Sequence, residues 1–274
     1  MTLTLDDAFA AIARDGYVVL PGAVAPDAVT ALLNRMQAVQ AARAGAEEVD
    51  QPFLNRGHDV LYSLQREDVA FARAFTDDPL LMGLLRRLLN DTWYRQIPAD
   101  QANFIMRSLI GRSSGPAVLP LHIDSFIPSS GSLSFSCQVS IVLEPQTPER
   151  GCTVVIPGSH LFDRYADQES MAQAIPILAE AGDMVVWDSR LWHGALGNTT
   201  GLSRWALIAT FTRWWIKQNF DMTGTLPQPI YEALTDDEKA IFGFCSRPPR
   251  DEFERTDIKS GHDQLKARVE DYRS

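Results

Sequence analysis

Three side chains far apart in the sequence have the chemical types that bind a divalent metal ion. His122 and Asp124 are separated by one residue, and His193 follows much later in the chain. If His122 and Asp124 lie on a strand, alternation places both side chains on the same face. The pair alone is weak evidence, because a structural role would explain each residue equally well. Together with His193 the set offers two imidazoles and one carboxylate, the ligands that bind non-haem Fe(II) while leaving coordination positions open.

Arg204, a cationic residue, lies 11 residues after His193. Arg204 begins the alternating run Arg204, Ala206, Ile208 and Thr210, whose side chains share one face of a predicted strand. A guanidinium that faces an interior requires an anion, and a carboxylate accepts its paired N–H groups in a bidentate manner. The sequence therefore predicts an anion-binding position on this strand.

The ordered set of His122, Asp124, His193 and Arg204 resembles the phytanoyl-CoA dioxygenase family of Fe(II)/2-oxoglutarate-dependent oxygenases. Two further segments are similar to motifs of that family, Asp15–Gly22 near the N-terminus and Gly151–His160 in the centre. The resemblance covers about residues 6 to 215 and implies a double-stranded β-helix core, a jelly roll of the cupin type, with helices outside it. It also implies that His122, Asp124 and His193 bind Fe(II) and that Arg204 binds the distal carboxylate of 2-oxoglutarate.

The resemblance implies a reaction as well as a site. O2 and 2-oxoglutarate are consumed, succinate and CO2 are released, and a C–H bond of a small, partly apolar metabolite is hydroxylated or otherwise oxidised. A natural product is one candidate for that metabolite. Halogenating relatives replace the metal-binding carboxylate by a small residue, so Asp124 argues against chlorination. Thr153 and Asn103 are candidates for further contacts with 2-oxoglutarate, and in each case a purely structural role is the alternative.

Four residues near these motifs are candidates for contacting the substrate. Phe126 and Phe135 follow the His-x-Asp pair, and Trp187 precedes His193. These aromatic side chains would line a pocket for an apolar body, although aromatic residues more often belong to a hydrophobic core. In the same interpretation, Arg213 contacts either an anionic group of the substrate or only solvent.

The elements that must position these residues are predicted to be mostly helices in the first part of the chain and short strands later. Capping and periodicity predict helices over 5–14, 26–43, 78–89 (capped by Thr76 or Asp77) and 229–241. Alternation and turn residues predict strands over 17–20, 133–144, 153–156, 184–187 and 204–214. The predicted fold class is therefore mainly β with flanking helices. We expect one oxygenase domain over 1–274, with a helical part over 1–100, the jelly-roll core over about 101–216 and a C-terminal extension over 217–274.

The composition argues against several other classes of protein. The 274 residues include 25 Lys+Arg and 35 Asp+Glu, a formal net charge of −10, which disfavours a broad surface for nucleic acid or an anionic membrane. Three scattered cysteines favour neither a disulfide framework nor a cysteine-rich metal site. No signal-peptide pattern and no long apolar run are seen, so we expect a cytoplasmic protein with a small-molecule substrate, as a monomer or a homodimer.

Two alternatives share the same residues. A jelly-roll metalloenzyme of another class, such as an isomerase or hydrolase, would use the metal site without 2-oxoglutarate, and Arg204 argues against it. A catalytically silent binding module on the same fold would not need all three metal ligands, and the intact set of His122, Asp124 and His193 argues against that. The remaining histidines, His58, His160 and His262, are interpreted as surface or structural residues.

Overall fold

The computed structural model describes residues 3–43, 60–91 and 101–247. The α-helices in these ranges are α1 (Leu5–Asp15), α2 (Pro26–Arg43), α3 (Ala70–Thr76), α4 (Pro79–Leu89), α5 (Met222–Thr225), α6 (Gln228–Ala233) and α7 (Asp236–Ile241). The strands are β1 (Tyr17–Leu20), β2 (Val60–Tyr62), β3 (Phe104–Arg112), β4 (Leu119–His122), β5 (Ser136–Val142), β6 (Thr153–Val155), β7 (Ile175–Pro176), β8 (Met184–Asp188), β9 (His193–Ala195) and β10 (Ala206–Arg213). Short 3-10 turns lie at Leu64–Arg66, Ser159–Leu161, Glu169–Gln173 and Phe244–Ser246.

The first helices begin and end close to the predicted positions. α1 starts at a capping box between Thr4 and Asp7 and stops at Gly16, whose φ of 85° lies in the left-handed region that glycine tolerates. The predicted cap of α4 was wrong, because α3 extends through Thr76 and Asp78 caps α4 instead. The Asp78 carboxylate accepts a hydrogen bond from the backbone N–H of Leu81, next to a proline in the first turn.

Two antiparallel sheets form the centre of the fold. The larger sheet has the strand order β1-β8-β5-β10-β3-β2, and the smaller has the order β4-β9-β6-β7. Neighbouring strands are mostly distant in sequence, as in a jelly roll. The predicted fold class, a mainly β jelly roll with flanking helices, is confirmed. The division at residue 100 remains a prediction, and β1 and β2, which lie before it, form the two edges of the larger sheet.

The larger sheet is covered on both faces. Its outer face packs against the helices through fully buried aromatic residues, including Phe75, Phe104 and Phe211, whose rings meet edge to face. Its inner face is directed toward the smaller sheet and carries polar side chains. Every residue of β5 is therefore buried, with Val139 in the helical core and Gln138 facing the space between the sheets.

The C-terminal part differs from the prediction of one helix over 229–241. The chain forms α6 and α7 there, because Leu234 adopts an extended conformation and Thr235 starts a second capping box with Glu238. Glu238 also accepts hydrogen bonds from Arg73 on α3, which ties this segment to the N-terminal helices. His58 and His262 lie outside the described residues. Among the described helices, none is both long enough and apolar enough to cross a membrane.

Candidate metal centre and its cavity

The predicted metal ligands come together between the two sheets. His122, Asp124 and His193 each offer one ligand atom, and these atoms lie within 4.8 Å of one another. His193 Nε2 is 3.2 Å from Asp124 Oδ2, and His122 Nε2 is 3.6 Å from Asp124 Oδ1. Two imidazole nitrogens and a carboxylate at this spacing can coordinate one divalent ion on one side and leave its other side open.

Two neighbouring strands of the smaller sheet supply the histidines. His122 ends β4 and His193 begins β9, and the two residues are paired in the antiparallel register with their ring centroids 4.2 Å apart. The expectation that Asp124 lies on the same strand as His122 was wrong. The strand stops at His122, and Asp124 lies in the following bend, where its backbone N–H donates to Ser189 O at 2.8 Å. This bond fixes the bend and brings the carboxylate back to the histidines.

The other ring nitrogen of each histidine is held by the backbone. His122 Nδ1 lies 2.9 Å from Pro120 O, and His193 Nδ1 lies 3.0 Å from Leu191 O. A proton on each Nδ1 satisfies these carbonyl groups and leaves the Nε2 lone pairs for a metal. Such contacts set the tautomer and the orientation of histidine ligands. Burial lowers the pKa of His122, which favours the neutral ring that a metal requires.

A polar relay across three strands of the larger sheet holds the carboxylate. Gln138 Nε2 on β5 donates to Asp124 Oδ2 at 2.9 Å, and Thr210 Oγ1 on β10 donates to Gln138 Oε1 at 2.6 Å. Ser108 Oγ on β3 donates to Thr210 Oγ1 at 2.9 Å. Each donor is itself oriented by the next, so the Gln138 amide presents its N–H to Asp124 rather than its oxygen.

The electrostatics of the site keep Asp124 ionised. Burial alone would raise the pKa of this carboxyl group, but the charge and hydrogen bond of His193, with smaller contributions from His122 and Gln138, lower it to about 2. Asp124 is thus an anion throughout the physiological pH range, which is the form that coordinates a metal. Burial opposes protonation of His193, but Asp124 outweighs burial and raises the pKa of His193. A metal would take the place of the proton on His193 Nε2.

A cavity of about 200 Å³ opens beside these ligands. Besides the three metal-binding candidates, its lining includes Ser108, Ile110, Arg112, Leu119, Gln138, Ser140, Thr153, Trp187, Ala195, Arg204, Ala206, Ile208, Thr210 and Asn219. The predicted common face of Arg204, Ala206, Ile208 and Thr210 therefore lines an interior cavity, although β10 itself begins two residues after Arg204.

Arg204 has the properties of an anion-binding residue without its anion. Its side chain is buried, and its Nε lacks a hydrogen-bond partner among the described residues. Burial lowers the pKa of Arg204 to about 10, and the nearby charge of Arg112 contributes in the same direction. A buried guanidinium is costly unless it is paired. The donor set and this unsatisfied cation together fit a divalent metal that shares the cavity with a carboxylate-bearing molecule.

The other predicted site residues divide into two groups. Thr153 and Trp187 line the cavity, and the Trp187 ring centroid is 5.4 Å from that of His193. Phe126 does not line it and is 65% exposed, and Asn103, Phe135 and Arg213 do not line it either. The latter three positions have separate structural explanations.

Local contacts explain each of these three positions. The Asn103 side-chain oxygen accepts a hydrogen bond from the backbone N–H of Asp91 just after α4. Phe135 meets Trp215 edge to face at 6.2 Å, and Arg213 is buried and donates to the carbonyl of Ser134. The predicted contact of Asn103 with 2-oxoglutarate therefore has no support from its position, and the predicted substrate contacts of Phe135 and Arg213 have none either.

The sequence interpretation did not single out Gln138, Ser140 or Arg112. In the sequence, apolar and polar residues alternate over 133–144 and give a polar face that contains Gln138 and Ser140, which is the signal that could have identified them. That signal was ambiguous, because a polar face of a strand usually faces solvent. Arg112 lies two residues from Ile110 at the end of β3, and only the pairing of β3 with β10 places it near Arg204.

A buried ion pair anchors the loop that follows the metal motif. Asp188 and Arg190 are almost fully buried, and Arg190 Nη2 lies 2.9 Å from Asp188 Oδ2. Arg190 also donates to the backbone carbonyls of Ser129 and Gly131, while Ser134 Oγ donates to Asp188 at 2.6 Å. The turn leading into His193 and the loop following Asp124 are therefore fastened to each other.

Several known proteins are similar to this chain in sequence or in fold. The model of the family described as phytanoyl-CoA dioxygenase (PhyH) matches residues 12–206. Rv1501 of Mycobacterium tuberculosis is 29% identical over 249 residues, covering 89% of this chain and 88% of that protein. Dioxygenase af480 of Aspergillus fumigatus is 29% identical over 249 residues, covering 88% and 77%. The epimerase SnoN, solved with Fe3+, alpha-ketoglutarate and nogalamycin RO, shares the fold with a TM-score of 0.60 and 20% identity, over 77% of this chain and 84% of that one.

Proposed function

This chain belongs to the phytanoyl-CoA dioxygenase family of Fe(II)/2-oxoglutarate-dependent oxygenases, and from that premise we propose that it oxidises a C–H bond of a small, partly apolar metabolite. Hydroxylation is the expected outcome, with release of succinate and CO2. In this proposal His122, Asp124 and His193 hold Fe(II), and Arg204 binds the distal carboxylate of 2-oxoglutarate. When bound, Fe(II) and 2-oxoglutarate would supply the electrons that activate O2, and O2 is the oxidant of both 2-oxoglutarate and the substrate, so the protein needs no general base of its own.

The observation that carries the proposal is that one cavity contains both a set of metal ligands and a buried cation. The metal ligands present Nε2 of His122, Nε2 of His193 and an ionised carboxylate to a common point. Arg204 presents a buried cation with an unpartnered Nε to the same cavity. A dicarboxylate with a keto group beside one carboxylate satisfies both, because one end can chelate a metal and the other can pair with a guanidinium.

The protein's own contribution is positioning and exclusion of water. The backbone carbonyls of Pro120 and Leu191 orient the two imidazoles, and Gln138 orients the carboxylate of Asp124. Trp187 packs beside His193 and shields that side of the centre from solvent. We propose Thr153, which lines the cavity near Arg204, as a further contact to the cosubstrate.

A natural-product substrate is supported by the relatives rather than by a contact in this chain. The solved structure of SnoN contains nogalamycin RO, and several similar fungal proteins are named dioxygenases. The net charge of −10 supports a small molecule over nucleic acid or an anionic membrane as the partner. We further propose a cytoplasmic location, and either a monomer or a homodimer fits the proposal.

The test begins with the protein in the absence of oxygen. Addition of Fe(II) and 2-oxoglutarate should produce the visible metal-to-ligand charge-transfer absorption of a chelated 2-oxo acid, and admission of O2 should release succinate. A His193→Ala variant serves as the control and should show neither signal. If the unmodified protein gives no absorption band and no succinate, the proposal is refuted and another class of jelly-roll metalloenzyme or a silent binding module takes its place.

A further inference from the structure

A bulge in β3 changes the direction of one arginine beside the metal centre. Thr210 pairs with Ser108 and Phe211 pairs with Met106, so Arg107 has no partner in the ladder with β10. Met106 occupies the helical core and Ser108 lines the metal cavity. Regular alternation would have placed Arg107 on the core side with Leu109, and the bulge removes it from there.

The guanidinium of Arg107 lies against Phe126, two residues along the chain from the metal-binding candidate Asp124. Its Nε is buried and has no hydrogen-bond partner among the described residues. Burial lowers the pKa of Arg107, and the negative charge of Asp124 partly offsets this effect by raising it. The Asp124 carboxylate, however, is already engaged with Gln138 and His193. Arg107 therefore retains hydrogen-bonding capacity next to the site.

The surroundings of Arg107 are apolar on the outer side. Its Cζ lies 4.9 Å from the ring centroid of Phe126, and this ring is 65% exposed. Phe126 is held there by a backbone φ of 65°, which is unusual for an aromatic residue, and Tyr165 Oη donates to its carbonyl oxygen at 2.8 Å. Exposed Ile127 follows it in the chain.

The carbonyl of Arg107 links this cluster to the cavity. It accepts a hydrogen bond from the backbone N–H of Asn219, which lines the metal cavity, and half-exposed Phe220 follows Asn219. The Arg107 cation thus contacts one exposed aromatic ring, and the exposed Ile127 and Phe220 adjoin the two residues that contact Arg107. Phe126 has a strained backbone and lies against the half-buried Arg107, whose Nε has no hydrogen-bond partner among the described residues, and backbone strain of this kind is found at ligand clamps.

We propose that Arg107 is a specificity-determining residue that binds the carboxylate of the substrate, while Phe126 and its apolar neighbours contact the substrate's body. This inference rests on the proposed function and refines the substrate class to a small carboxylic acid with an apolar body. Arg204 remains the residue for the cosubstrate.

Two soluble probes of matched shape test the proposal. 4-Phenylbutyrate and 4-phenylbutan-1-ol carry the same apolar body and differ in the anionic group. Each is titrated by calorimetry into anaerobic protein that already holds Fe(II) and saturating 2-oxoglutarate, so that Arg204 is occupied. The charge-transfer band of that complex, recorded first, reports on the proposed function independently of the probe.

The variants are Arg107→Gln, Arg107→Lys and the control Arg66→Gln, which removes an exposed arginine elsewhere. Loss of a charge-assisted bond predicts that Arg107→Gln weakens 4-phenylbutyrate binding about 10- to 100-fold and leaves the alcohol unaffected. Arg107→Lys should retain part of the preference, and Arg66→Gln should retain all of it. Equal binding of the carboxylate by the unmodified protein and Arg107→Gln, or no binding of it to the unmodified protein, overturns the proposal. Absence of the band in the unmodified protein would instead refute the proposed function.

Discussion

The relay from Ser108 to Asp124 makes a quantitative prediction for the Thr210→Val substitution. Valine has nearly the same shape as threonine, so the change removes the hydroxyl and little else. Ser108 Oγ then loses its acceptor and Gln138 Oε1 loses its donor, and each unsatisfied buried group costs about 1–3 kcal/mol. Without that donor, the Gln138 amide is no longer fixed in the orientation that presents its N–H to Asp124, and the carboxylate is held less firmly.

The expected result is a loss of metal affinity beyond the loss of stability. Residues that orient metal ligands typically contribute about 10- to 100-fold to binding, so Co2+ should bind Thr210→Val more weakly by that factor. Isothermal titration at constant pH measures the affinity, and thermal unfolding measures the stability of the same preparation. Co2+ serves here as a probe that needs no protection from oxygen during titration.

Thr212→Val is the matched control on the same strand. Thr212 is buried and its Oγ1 donates to the carbonyl of Phe135 at 3.0 Å, so it loses one hydrogen bond without touching the relay. It should reduce stability by roughly 1–2 kcal/mol and leave Co2+ binding unchanged. Equal Co2+ affinity of Thr210→Val and the unmodified protein would refute the positioning role of the relay, and so would equal weakening in both variants.

Three further predictions concern charged residues. Arg204→Met should weaken 2-oxoglutarate binding about 100-fold while Co2+ still binds, and calorimetry with each ligand separates the two effects. Asp188→Ala leaves Arg190 buried without its partner and should lower the free energy of unfolding by about 3–5 kcal/mol in urea titrations, whereas a change below 1 kcal/mol would contradict the anchoring role of the pair. Although burial opposes it, the hydrogen bond from Arg73 lowers the pKa of Glu238 below its ordinary value of 4.5. The ionised carboxylate therefore stabilises the fold at neutral pH. The free energy of unfolding of the unmodified protein should exceed that of Glu238→Gln by about 1–2 kcal/mol at neutral pH, and this difference should disappear as the pH falls through the pKa of Glu238 in the folded protein.

Local sequence signals predicted those parts of the fold that depend on neighbouring residues. The capping box and glycine of α1 are local, and the bounds of α2 follow from Pro26 and the apolar periodicity. The alternation around β5 also predicted a strand with one polar face. It could not indicate that this face is interior, because the smaller sheet that covers it is formed by strands from other parts of the chain.

The same distinction explains which site residues were missed. Ser108 and Gln138 were missed, since they form a relay with Thr210 only because β5, β10 and β3 are adjacent in the sheet. Phe135 was selected because it follows the metal motif, and Asn103 because its segment leads toward His122, but neither relation in sequence determines which side chains line a cavity between two sheets. The metal ligands themselves were predictable because their types and spacing constrain one another, even though Asp124 lies beyond the strand on which it was expected.

The distribution of charge gives the cavity a character opposite to that of the whole chain. The protein carries a net charge of −10, yet the described lining of the cavity contains two guanidinium groups, Arg112 and Arg204, against the carboxylate of Asp124. A divalent ion at the histidines would make this enclosed space more positive still, and Arg107 adds a further cation beside it. Charges in a narrow cavity are poorly screened, so the local field there dominates the field of the distant surface acids. Two anions, a dicarboxylate cosubstrate and a carboxylate substrate, balance that field better than one. The negative exterior therefore does not argue against an acidic substrate.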